Sequence, residues 1–192
     1  MPPIPPNPVR QALAAKYVRA KVNPEHQREI SNTIDKIVAN KGRYDEVSRR
    51  LPTIPWWAVA VIHSMECDLN FHQHLHNGDP LTARTRNDPA GLPRTGSPTF
   101  EWEYSAVDAL KHDELDKHTD WSVGATLDIF ERYNGVGCRA LGVPSPYLWS
   151  YTDQYVSGKF VADHKYDPHA VSKQSGVVPL LKELERRSLV KF

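Results

Sequence analysis

Glu66 and Asp79 are the side chains whose types and spacing could do chemistry. Glu66 closes an apolar run, PWWAVAVIHSME, and Asp79 lies in the polar stretch that follows, HQHLHNGDPLTART. On a helix opened by Pro55, Val59, Ile62 and Glu66 fall at i, i+3 and i+7, so the acid is expected on the side of core residues, at the last turn. Apolar surroundings penalise a charged carboxylate, and the negative end of the helix dipole opposes it further. A carboxyl that keeps its proton near neutral pH is what a general acid requires. The plainer alternative is that Glu66 pairs with an arginine or caps a neighbouring turn.

Four chemistries compete on these residues. Glu66 can protonate a glycosidic oxygen while Asp79 positions water or stabilises positive charge on a sugar. His72, His74 and His76 with Asp79 can bind zinc, but the alternation gathers three imidazoles only on an extended strand, and no HExxH or paired-Cys spacing supports it. Cys67 can be a nucleophile, although cysteine is commonly a small buried hydrophobe. The fourth reading is a helical interaction module whose loop binds a protein. It leaves a buried acid facing a long polar loop without a task.

The chain of 192 residues carries 24 Lys and Arg against 23 Asp and Glu, so nothing in its net charge of +1 points to nucleic acid. That length fits one domain with an appendage: a Pro-rich arm with a short helix over 1–23, and a catalytic domain over 24–192. The opening MPPIPPNPVR lacks the basic and apolar regions of a signal peptide, and no segment is expected to insert in a membrane. Localisation stays unassigned, with export or release left to another system. Cys67 and Cys138 are too few for a disulfide framework; they can still form one bridge, and the plainer reading is two buried thiols.

The elements that must position Glu66 follow from periodicity. Helices are expected over 9–20, 25–40 (stripe Ile30, Ile34, Ile37, Val38) and 44–51, ahead of the central helix. After Cys67 the periodicity is lost for about thirty residues, broken by Pro80, Pro89, Gly91, Pro93, Gly96 and Pro98, with at most a short hairpin over 81–85. Helices resume near Trp102, then over 121–133 (stopped at Asn134 and Gly135), 147–157 and 179–189. The fold is therefore expected to be mainly α, with a small irregular or β-hairpin excursion after the central helix.

Three segments resemble the lysozyme superfamily, in particular its goose-type lysozyme and lytic transglycosylase branch and the bacterial and phage lysozyme-like proteins. WAVAVIHSMECDLNF resembles the helix that delivers the catalytic Glu, here Glu66; ERYNGVG resembles the motif lining the sugar cleft, bringing in Tyr133 and Asn134. SPYLWSYTDQYVSGKF resembles the helix that follows, which makes Tyr155 a candidate to contact Glu66, and HLHNGDPLTART adds His76 and Asn77 as substrate contacts. In phage-type lysozymes an Asp and a Thr six positions beyond it hold the attacking water, and Asp79 and Thr85 repeat that step. Two departures stand out: Asp79 lies thirteen residues after Glu66, a longer gap than those enzymes use, and Cys67 occupies a position where the family usually has Ser.

The resemblance implies a muramidase, a glycoside hydrolase that cuts the β-1,4 bond between N-acetylmuramic acid and N-acetylglucosamine in peptidoglycan. It implies no cofactor and no metal, and glycan strands as the partner of a monomer. The catalytic set would be Glu66, Asp79 and Thr85, with Asp88 or Glu101 as substitutes for Asp79. The alternatives are a lytic transglycosylase using Glu66 alone and a non-catalytic wall-binding or partner-binding module. Bland roles remain for Tyr133 and Tyr155 as core aromatics, Asn134 as a helix stop, and His76 and Asn77 as turn residues. Trp56, Trp57 and Trp102 read as packing.

Overall fold

The computed structural model describes residues 7–192. Nine α-helices run through them: α1 (Pro8–Arg19), α2 (Gln27–Ala39), α3 (Lys41–Arg50), α4 (Trp56–Cys67), α5 (Trp102–His112), α6 (Val123–Asn134), α7 (Gly137–Ala140), α8 (Pro146–Trp149) and α9 (Val177–Arg186). The mainly α expectation holds. The β component is a two-stranded antiparallel hairpin of β1 (Lys159–Ala162) and β2 (Lys165–Asp167), late in the chain, whereas the stretch after α4 is irregular. The expected Pro-rich arm lies, up to residue 6, outside the described residues.

Two compact units divide the chain. Asp35–Thr119 form one; the residues up to Ile34, together with Asp120–Phe192, form the other. This is not the division at residue 23 expected from the sequence. Helix α1 is part of a core rather than an appendage, because it packs along α6 in the discontinuous unit. Asn7 caps it, its Oδ1 accepting from the Val9 amide at 2.9 Å, and Pro8 takes the first turn. Its buried Tyr17 donates to Glu185 Oε2 at 3.0 Å.

In the Asp35–Thr119 unit, α3 packs on both α4 and α5, and α4 is the most deeply buried helix. Its residues 57–64 are all buried, as an apolar sequence without a polar face demands. Each large side chain removed from water there contributes on the order of 1.5–3 kcal/mol. Tyr44 and Val47 of α3 and Trp102, Ala106, Ala109 and Leu110 of α5 complete the core. Asp68 (φ 48°) and Leu69 (φ 60°) both turn left-handed and end α4 immediately after Cys67.

In the other unit, α6, α8 and α9 pack on one another through Leu127, Phe130, Leu148, Trp149, Leu180, Leu181 and Leu184. The expected helix over 147–157 is corrected to the four residues of α8. Ser150 leaves the helix at ψ 143°, and Tyr151 adopts φ 67°. The chain then pairs as an isolated antiparallel bridge, Val22 with Thr152, and the Asp153 amide donates to the Lys21 carbonyl at 2.9 Å. That pairing needs extended backbone, and the local helical pattern yields to it.

Candidate functional site

Helix α4 carries one charged residue, Glu66, in its last turn. The structure corrects its expected burial: Glu66 is exposed, while Ser64 and Cys67 are buried. The helix rotates the three positions around its C-terminal rim, and Glu66 falls on the outward one.

The polar loop that follows is braced from within. Gln73 and Pro80 form an antiparallel bridge, the His74 amide donates to the Asp79 carbonyl at 2.7 Å, and the Leu81 amide to the His72 carbonyl at 3.0 Å. Gly78 supplies the positive φ of 79° at the tip. Asp79 then ties this turn to the next segment. Its Oδ2 accepts from the amides of Arg86 (2.7 Å) and Asn87 (2.9 Å) and from Asn77 Nδ2 (3.1 Å), and its Oδ1 from Asn87 Nδ2 (2.7 Å). The two backbone amides hold its carboxyl below the usual aspartate range, and the side-chain amides add to them. An acid so held is a fixed negative charge and a weak base.

Thr85 is 3% exposed and spends its hydroxyl inside the loop, donating to the Pro89 carbonyl at 2.6 Å and accepting from the Leu92 amide at 2.9 Å. Its predicted role of holding a water is corrected to one of holding the second turn. Asn77 is likewise occupied, donating to the Asn87 carbonyl at 2.9 Å and accepting from the Asp79 amide at 3.0 Å. The structure thus joins Asn77 directly to Asp79 and keeps Thr85 in a neighbouring turn. Asp88 and Glu101, the substitutes for Asp79, are both exposed.

The three histidines part company. His72 is exposed. His74 is buried; its Nε2 donates to the Ala83 carbonyl at 2.7 Å, so its Nδ1 accepts from the Ser105 hydroxyl at 2.6 Å. The His76 ring has no exposed surface and donates through Nε2 to Asp108 Oδ2 at 3.0 Å. Burial pulls His76 below the usual histidine range, with Asp108 opposing. His76 is therefore a brace between loop and α5, a correction to its expected contact with substrate. No group of three or more His, Cys, Asp and Glu side chains converges as a metal site among the described residues.

Both cysteines are free and buried. Burial pushes the Cys67 thiol up to about 12, with the Glu66 charge adding to the shift, and its Sγ donates to the His74 carbonyl at 3.5 Å. A thiol in that state is no nucleophile at neutral pH.

Tyr133, Asn134 and Tyr155 belong to the other unit. Tyr133 is half-buried near the end of α6, and Asn134, its last residue, is exposed before Gly135 at φ 99°. Tyr155 is buried, and its hydroxyl accepts from the Ser172 amide at 3.1 Å. The chain matches no protein-family model, no curated protein and no solved structure.

Sequence reasoning missed Ser105 and Asp108, which hold the two buried histidines from α5. Their positions on that helix, three residues apart, were legible. Their partners, about thirty residues away in an irregular loop, were not. It also missed His63, wholly buried within α4, with Nδ1 3.1 Å from the Tyr44 hydroxyl.

Proposed function

We propose that this chain is a muramidase in which Glu66 is the acid. One observation carries the reading: a helix buried along its length ends in a single exposed carboxyl, directly before a braced polar loop. A catalytic acid must be rigid in its backbone and reachable from solvent, and Glu66, exposed at the end of a buried helix, meets both conditions. Glu66 gives its proton to the oxygen linking N-acetylmuramic acid to N-acetylglucosamine, and the C–O bond breaks towards that oxygen. Positive charge develops on the muramic acid ring, where a fixed negative charge such as Asp79 is favourable. Water adds to the anomeric carbon and gives up its proton to a carboxylate.

A second reading within the class draws on Asp79 and Thr85. Their hydrogen-bonding capacity is committed to the loop, which argues for Glu66 acting alone. Glu66 then takes back a proton from the sugar's own hydroxyl, which closes an anhydro ring as in a lytic transglycosylase.

The test is digestion of purified peptidoglycan with mass spectrometry of the released fragments. Wild type is expected to release fragments with reducing ends, and Glu66→Gln to lose about a hundredfold or more of that activity, the scale of losing general-acid catalysis. Anhydro ends decide for the transglycosylase. Equal release by wild type and Glu66→Gln removes Glu66 from the mechanism, and no release from either leaves a non-catalytic module.

A further inference from the structure

The discontinuous unit contains a slot of about 430 Å³, within the range that holds small-molecule ligands. One wall is a stripe of α1: Val9, Ala12, Leu13 and Lys16 recur at helical spacing and share a face. Val143, Pro144 and the ring of Trp149 supply further apolar surface. The charged groups in the lining are Lys16, Glu131 and Arg139, and the last two are paired with each other. Glu131, 5% exposed, accepts from Arg139 Nε at 2.8 Å and from its Nη2, while the same Nη2 donates to Asp128 Oδ1 at 2.9 Å.

Lys16 is the exception. Its Nζ lies 4.3 Å from the Trp149 ring centroid and, among the described residues, donates no hydrogen bond and makes no close ion pair. The residue is half-buried, and burial pulls its ammonium below the usual lysine range, with the Glu131 charge partly offsetting. A partly desolvated cation gains from a charge-assisted hydrogen bond, which an incoming anion would supply. Glu131 and Asp128 both engage the Arg139 guanidinium, so Lys16 is the lining cation that has no carboxylate hydrogen-bonded to it among the described residues. One ammonium with apolar walls suits a monoanion with an apolar body. A phosphate dianion would need several donors, which this slot does not present.

We propose that this slot binds a small carboxylic acid, with its carboxylate on Lys16 Nζ and its aliphatic or aromatic body between the α1 stripe and Val143, Pro144 and Trp149. The site is independent of the chemistry assigned to Glu66. It gives the discontinuous unit a ligand of its own.

The test titrates the full chain with N-acetyl-leucine, N-acetyl-phenylalanine and 4-phenylbutyrate, each beside its neutral amide, and follows the amide and indole resonances by nuclear magnetic resonance. Shifts are expected at Ala12, Val143 and the Trp149 indole, with each amide binding about tenfold or more weakly than its acid. Lys16→Met should erase that preference, and Ala12→Phe, at an exposed helix position, should fill the slot and abolish binding. Retention of the wild-type spectrum away from the slot certifies that each variant is folded. Equal binding of acid and amide, an unchanged preference in Lys16→Met, shifts centred elsewhere, or no response to all three acids would each overturn the proposal.

Discussion

Asp79 accepts from backbone and side-chain donors of its own loop, while Glu66 stands exposed at the end of a buried helix, and this contrast divides the work between the two acids. Asp79→Ala is expected to free the Arg86 and Asn87 amides and raise their hydrogen exchange about tenfold or more, since each loses a charge-assisted bond. The sign of the pH effect follows from the depressed carboxyl. The bracing is complete above the usual aspartate range and is lost as pH falls through the lower folded value, so acid should mimic the substitution. Unchanged exchange at these two amides in Asp79→Ala would refute the bracing role. Because the substitution loosens the loop, a fall in its rate does not by itself separate hydrolysis from transglycosylation, whereas the chemistry of the released ends does.

Helix α1 docks on α6 at a point where the backbones nearly touch. A Cβ placed on Gly124 would meet the Arg10 carbonyl oxygen at 2.3 Å, and backbone cannot step aside as a side chain can. Arg10 also reaches across to Asp120 Oδ2 at 3.1 Å and Asp128 Oδ2 at 3.4 Å, which fixes the register of the two helices. In an ordinary helix Gly→Ala gains up to about 1 kcal/mol of propensity. Overpacking costs about 1–3 kcal/mol, and here it prevails because the clash is with main chain. Gly124→Ala is therefore expected to lower the urea midpoint. A raised midpoint would mean that α1 is not held at this distance.

At the scale of the whole molecule, acid stability should be set in part by His63. Its side chain is buried beside Tyr44, Phe71 and Trp102, with ring centroids of the last two 4.5 Å away. Burial holds its pKa down to about 4; the Arg43 charge acts the same way, and the Asn70 carbonyl opposes both. Unfolded histidine titrates near 6.5, so between that value and about 4 the unfolded chain binds the additional proton. This contribution is complete above the unfolded value and declines as pH falls through the window, by up to about 1.4 kcal/mol per pH unit. His76, also pulled down by burial, acts in the same direction. Unfolding free energy measured between neutral pH and the lower end of that window should show a shallower slope in His63→Phe than in wild type. Identical slopes would show that His63 does not carry the dependence.

The sequence by itself determined the helical class, the run of α4 and its end beside Glu66, and the irregular character of the stretch after Cys67, because periodicity, Pro and Gly act locally. Tertiary structure decided what each polar group does. Whether Glu66 faces core or solvent depends on a rotation of one residue at a helix rim, where apolar spacing is least informative. Asp79, Thr85, His74 and His76 are assigned by partners from residue 83 to residue 108, brought together by loop closure that no local pattern encodes. The short α8 and the incorporation of α1 have the same origin. Segments with weak or competing local preference take the conformation that satisfies distant backbone groups, which only the assembled chain supplies.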